Sequence, residues 1–181
     1  TRPKAFYGTP SYALHLAETA LAEGIEPKEF GLELLFFSGE PGASIPSVRN
    51  RIEALYGAQA IDCGTMAEMT PWMNAAGSKQ TDGMLLWQDM VYTEVCDPKS
   101  HARVGWGEQG TPVYTHLERT SQPMIRLVSG ALTHWTDGSD NLCGRTYPRL
   151  PDGISGPIDV MFTVRGEIDR KSTRMNPSHV S

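Results

Sequence analysis

Leu32-Glu33-Leu34-Leu35-Phe36-Phe37, followed at once by Ser38-Gly39-Glu40-Pro41-Gly42, is the stretch on which the fold turns. A mostly apolar run of this length, closed by Ser-Gly, reads as a buried parallel strand. Upstream, Ser11 or Thr9 caps a helix running to about Ala22, with Tyr12, Leu16, Ala20 and Leu21 on roughly one face and Gly24 as its stop. Downstream, Pro46-Ser47 opens a second helix that ends at Gly57, and Ala58 to Asp62 forms a short strand. The first ~65 residues therefore read α-β-α-β, the pattern of a parallel sheet with helices packed on it.

After Met84 the pattern changes. Met84–Trp87, Val91–Cys96, Pro112–His116, Ile125–Val128 and Leu132–Trp135 are short strand-like runs. Asp97-Pro98, Gly105 and Gly107, Ser129-Gly130 and Asp137-Gly138 punctuate them as turns. This spacing predicts a small β-barrel or antiparallel sheet. No internal repeat or low-complexity segment is present.

The composition sets outer limits. A chain of 181 residues, 39% hydrophobic and 20% charged, is long enough for one domain with a real core. A net charge of -5 with scattered Lys and Arg argues against a nucleic-acid partner. No apolar run approaches the ~18 residues a membrane span needs. Cys63, Cys96 and Cys143 are isolated and odd in number, which favours a reducing compartment and a cytoplasmic address. The five histidines form no pair at metal-ligand spacing. Neither a Gly-x-Ser-x-Gly elbow nor a glycine-rich phosphate loop of the P-loop or Rossmann type occurs.

Chemistry concentrates in two places. Ile61-Asp62-Cys63-Gly64-Thr65-Met66-Ala67-Glu68 follows a parallel strand, where open α/β sheets place their ligands. Ser38-Gly39-Glu40-Pro41-Gly42 follows another, and glycine there permits close approach to the backbone.

Five segments, taken in order, resemble the motifs of phenylacetate–CoA ligases in the adenylate-forming, AMP-binding family. They are Ser38–Gly42, Asp62–Glu68, Gly107–Leu117, Gln122–Leu132, and the Cys143-Gly144-Arg145 turn leading to Asp159-Val160-Met161-Phe162-Thr163-Val164-Arg165-Gly166. The resemblance covers roughly residues 6–166. It implies an α/β fold: a partial Rossmann-like sheet layer followed by a β-barrel-like module. Residues 1–166 would be the C-terminal part of the large AMP-binding domain, with the phosphate loop upstream and the C-terminal domain beyond. Residues 167–181 lack a hydrophobic period and resemble translated adapter read-through, a non-native and disordered tail.

The implied activity is ATP-dependent adenylation of an aryl carboxylic acid and its transfer to coenzyme A, with ATP, Mg²⁺ and coenzyme A as cofactors and a homodimer as the full-length assembly. By position, Glu68 becomes the catalytic carboxylate that helps hold Mg²⁺ on the phosphates. Gly39, Glu40, Pro41, Asp62 and Thr65 become nucleotide contacts, Thr65 supplying a hydroxyl from a shifted position. Asp159 and Arg165 fall at the interdomain hinge, and Tyr12 and Trp72 at the acyl pocket. Departures from the pattern are equally specific. Gly64 and Ala67 interrupt the Asp-to-Glu motif; Ala131 replaces the ribose-binding aspartate, Pro157 an arginine and Val160 an aspartate. These changes imply that the chain alone has negligible ligase activity. The alternatives are a non-catalytic nucleotide- or acyl-binding module and an incomplete domain without stable function.

Overall fold

A computed structural model describes residues 2–64, 66–69, 73–80 and 82–154 fully, and the backbone of 161–164 and 167–170. Strands β1 (Ala5–Gly8), β2 (Leu34–Phe37) and β3 (Gln59–Gly64) lie parallel, with Ala5 opposite Leu34 and Leu34 opposite Gln59. Helix α1 (Pro10–Ala22) joins β1 to β2, and α2 (Pro46–Tyr56) joins β2 to β3. A 3-10 turn (Pro27–Phe30) follows α1.

Both helices start and stop where local chemistry dictates. The Thr9 side chain accepts the Tyr12 N–H at 3.2 Å, and Pro10 occupies the first helical turn. Pro46 opens α2, and Gly57 closes it in the left-handed region. The buried face of α1, however, is Pro10, Ala13, Ala17 and Ala20, while Tyr12 and Leu21 stand exposed. This corrects the face read from the larger side chains. Alanines let α2 come close enough for the Tyr56 hydroxyl to donate to the Ala13 carbonyl at 2.7 Å. Ala13, Ala17, Leu35, Phe37, Ile52 and Tyr56 form the core of this layer. Burying Leu35, Phe37 and Ile52 contributes roughly 1.5–3 kcal/mol each. Leu34 and Phe36, on the other face of β2, are only half-buried, so this strand is covered on one side among the described residues.

Past β3 the sheet continues antiparallel through β4 (Ala75–Gly77), β5 (Met84–Leu86) and β10 (Arg149–Leu150), giving the order β1-β2-β3-β4-β5-β10. The Met84 run expected in the β-rich module therefore belongs to the first sheet. A second, four-stranded sheet is built on β7 (Gln109–His116). One edge of β7 pairs with β6 (Val91–Cys96); the other takes β8 (Leu127–Val128) near its end and β9 (Thr133–His134) at its start. The described strands form an open antiparallel sheet, the second of the two arrangements expected, and do not close into the barrel-like module. With β8 and β9 two residues long and β5 committed elsewhere, no further strand among the described residues closes a cylinder. Ala75, Met84, Leu86, Val95, Trp135 and Leu150 pack between the two sheets.

Strands β11 (Met161–Val164) and β12 (Glu167–Arg170) pair antiparallel. The boundary expected at Gly166, like residues 171–181, lies outside the described residues. Among the described residues no helix is long and apolar enough to cross a membrane.

Candidate active site

Three segments meet at the C-terminal ends of β2 and β3. Ser38–Pro41 leaves β2, Asp62–Gly64 ends β3, and Ser129–Ala131 follows β8; with Met84 and Ile154 they enclose a cavity of about 280 Å³. Gly39, Glu40, Pro41 and Asp62 were expected at one site, and the structure brings them together there. Ala131 lines the same space. Its turn is held by Ser129, whose N–H reaches the Pro112 carbonyl at 2.9 Å and whose hydroxyl accepts the Ala131 N–H at 3.3 Å.

The polar groups have defined partners. Asp62 Oδ2 accepts a hydrogen bond from the Ser44 hydroxyl. Glu40 Oε1 accepts the Ser11 N–H at 2.6 Å, so its carboxylate sits at the N-terminus of α1, where the helix dipole favours negative charge. Burial pushes the Cys63 thiol up to about 12, which removes it as a nucleophile near neutral pH. Among the described residues the lining holds two carboxylates and no Lys, Arg or His. An anionic phosphate entering it therefore needs a metal ion or cations from other segments.

Loss of solvent raises the Asp62 carboxyl above its ordinary value, and the Ser44 hydroxyl, the Cys63 N–H and the charge of Arg49 oppose that rise only in part. A raised carboxyl pKa means the folded state binds the proton more tightly than the unfolded chain. Stability then falls as pH rises from the ordinary aspartate value through the folded one, and the penalty is complete above it. Asp62→Asn keeps an acceptor for Ser44 and removes the charge. The variant is expected to melt higher than the parent at pH 7, with the gap closing as pH falls below about 4. Melting curves between pH 3.5 and 7.5 check this; a pH-independent gap would refute it.

Glu68 lies past β3 and outside the cavity lining. It is exposed, and its carboxylate has no partner among the described residues; its backbone carbonyl accepts Arg119 Nη1 at 2.8 Å. Among the described residues no three His, Cys, Asp or Glu side chains come together as a metal cage. A single free carboxylate suits Mg²⁺ that arrives on a nucleotide, since this ion is commonly held by one or two carboxylates plus phosphates. Tyr12 stands on the first turn of α1, stacked on Phe6 at 6.3 Å, outside the cavity lining. Thr65, Trp72, Asp159 and Arg165, with Pro157 and Val160, lie outside the described residues.

Sequence reading missed Ser44 and Gly153 as parts of the site, and quoted Ser129 within the Gln122–Leu132 motif without giving it a role. Gly153 packs against both Ser44 and Asp62, and its carbonyl accepts the Thr133 hydroxyl at 2.7 Å. Only the Asp152-Gly153 turn pair marked that position in the sequence.

An α/β layer with a cavity at its strand ends, closed by a turn from an antiparallel sheet, defines the large-domain architecture of adenylate-forming enzymes. The comparisons agree: the chain belongs to that family, in its phenylacetate–CoA ligase-like group. It is 30% identical over 166 residues to the phenylacetate–coenzyme A ligase of Thermus thermophilus, covering 91% of this chain and 36% of that protein. Against the Pseudomonas putida phenylacetate–coenzyme A ligase the identity is 31%, with the same coverage. A solved 2-hydroxyisobutyryl-CoA ligase, in the postadenylation state in complex with 2-HIB-AMP, superposes with a TM-score of 0.89. The two are 66% identical, over 94% of this chain and 36% of the other. The chain thus spans about 36% of the length of these relatives. No family model matches it.

Proposed function

We propose that this chain forms the adenylate-binding wall of an ATP-dependent acid–CoA ligase. The observation that carries the reading is the convergence of Ser38–Pro41, Asp62–Gly64 and Ser129–Ala131 on one cavity, three segments remote in sequence that match three family motifs. The backbone of Gly39–Pro41 would lie along the adenine, with Asp62 at its edge. Ala131 would face the ribose. Thr65 and Glu68 would lie toward the phosphates, Glu68 on the Mg²⁺ that accompanies ATP. In the whole enzyme the substrate carboxylate attacks the α-phosphorus and pyrophosphate leaves. The coenzyme A thiolate then attacks the acyl carbon and AMP departs. Asp159 and Arg165 serve the hinge between these steps, and Tyr12 and Trp72 border the acid.

For the acid, identity of 66% to a ligase named for 2-hydroxyisobutyrate supports a short branched hydroxy acid over an aryl acid. The relatives named for phenylacetate stand at 30% and 31%. The cation-free lining and Ala131 favour binding without turnover for the 181-residue chain itself, which is the behaviour of a non-catalytic nucleotide-binding module.

Calorimetric titration with AMP and Mg-ATP, alongside pyrophosphate release with 2-hydroxyisobutyrate and with phenylacetate, tests the reading. Saturable AMP binding without pyrophosphate release is expected. Absence of any nucleotide binding would overturn it.

A further inference from the structure

His116, the last residue of β7, and Arg119, just beyond it, reach across to two consecutive carbonyls of the segment after β3. His116 Nδ1 accepts the Met124 N–H at 2.9 Å. The ring hydrogen therefore sits on Nε2, which donates to the Met69 carbonyl at 2.8 Å. Arg119 donates through Nη1 to the Glu68 carbonyl at 2.8 Å and through Nε to Ser121 at 3.0 Å. The His116 N–H closes the arrangement by donating to Met124 O at 2.9 Å.

Pinning the carbonyls of Glu68 and Met69 fixes the two peptide planes that flank Met69, the first of which is also the one that follows Glu68. Met69 is also buried, packed with Val91 and Tyr114. The Glu68 side chain is consequently the free end of a clamped backbone: its main chain is held, and its carboxylate is exposed and unpartnered among the described residues. The turn that supplies the clamp is itself strained. Gln122 and Arg126 are non-glycine residues with φ of 54° and 52°. Such conformations persist only where their surroundings over-determine them. For Arg126 those surroundings include Glu94 Oε2 at 2.7 Å, the His101 carbonyl at 2.8 Å and Thr115 Oγ1 on its N–H at 3.0 Å.

We propose that His116 and Arg119 are positioning residues for adenylation, fixing the main chain of Glu68 so that its carboxylate meets the metal on the ATP phosphates. This rests on the assignment of Glu68 under the proposed function. Neither side chain needs to touch the nucleotide. Their effect should therefore appear in the metal-dependent part of binding and be absent from AMP, which carries no metal-bridged phosphates.

The test uses the 181-residue chain and four variants. His116→Asn keeps an acceptor for Met124 but cannot reach Met69; Arg119→Ala removes the second donor; Arg119→Lys restores a donor; Glu68→Gln removes the carboxylate. ATP affinity is measured with excess Mg²⁺ and with EDTA, and AMP affinity serves as the internal control. The gain produced by Mg²⁺ is expected to vanish in Glu68→Gln and to fall to a third or less in His116→Asn and Arg119→Ala. It should return in Arg119→Lys, with AMP affinity within twofold throughout. Amide exchange of the 66–69 segment should accelerate about tenfold in His116→Asn and Arg119→Ala. Unchanged exchange would overturn the clamp. Faster exchange with an undiminished Mg²⁺ gain, or AMP binding with no Mg²⁺ gain in the parent chain, would overturn its role. If the parent chain binds no AMP, the proposed function fails, while the exchange measurement still decides whether the clamp exists.

Discussion

Ala131→Asp is expected to tighten AMP binding by tenfold or more. Residue 131 lines the cavity, and its main chain is already set by the Ser129 turn, so a longer side chain there projects from a fixed backbone. A hydrogen bond to a charged acceptor contributes about 1.5–3 kcal/mol, and each ~1.4 kcal/mol is a decade in affinity. Even a single bond from a ribose hydroxyl thus reaches the expected size. One effect opposes it: the lining already holds Asp62 and Glu40, and a third carboxylate adds repulsion. Glu40 is engaged by the start of α1, and raised salt screens what remains, so the gain should persist or grow with ionic strength. Calorimetry with AMP and with 2′,3′-dideoxy-AMP separates the causes. Tightening confined to AMP places residue 131 at the ribose. Equal tightening for both, or none, removes the ribose assignment and with it the orientation proposed for the nucleotide.

The residues that could be read in advance share a property: their conformation is decided within a few neighbours. Thr9-Pro10 and Gly57 set helix ends through caps, and Leu32–Gly42 sets a strand and its turn through an apolar run and a Ser-Gly stop. Elements defined by a partner were not legible. Strand β1 sits at a sheet edge with alternate residues exposed, and β4 is Ala-Ala-Gly, with no β-branched side chain to announce it. Strand β10 exists because Leu150 pairs with Met84. The face of α1 was misread for a related reason, since close approach of α2 selects alanine over the larger Tyr12 and Leu21. At the site the same division holds. Each wall of the cavity carries a local motif. The contacts that tune those walls join Ser44 to Asp62 and His116 to Met69, pairs far apart in the chain that no local pattern links.

Gly83→Ala is expected to be among the most damaging small substitutions in the described fold, at about 4 kcal/mol or more. Gly83 precedes β5 with φ of +76°, and Gly24, after α1, has φ of +75°. An L-residue in that region costs roughly 1–2 kcal/mol in either place. The surroundings separate them. A Cβ on Gly24 meets nothing within 4 Å, whereas one on Gly83 falls 2.5 Å from the Pro151 carbonyl oxygen and closer still to that of Leu150. Both obstacles are backbone, so no rotamer change relieves them, and β5 must part from β10. That pairing carries buried Met84 and Leu150. It also lies beside Arg149, whose guanidinium bonds the Asp82 carbonyl at 3.1 Å and Asp140 at 2.7 Å. For a chain of this size about 1 kcal/mol moves the melting temperature by roughly 2–4 °C, so Gly24→Ala should cost a few degrees and Gly83→Ala ten or more. Because Met84 and Ile154 also line the cavity, Gly83→Ala should weaken AMP binding while Gly24→Ala leaves it intact. Thermal melts and AMP titrations of the two variants read both effects. Equal melting shifts would mean that backbone strain alone governs Gly83, and that the β5–β10 contact yields where the fold requires it to be rigid.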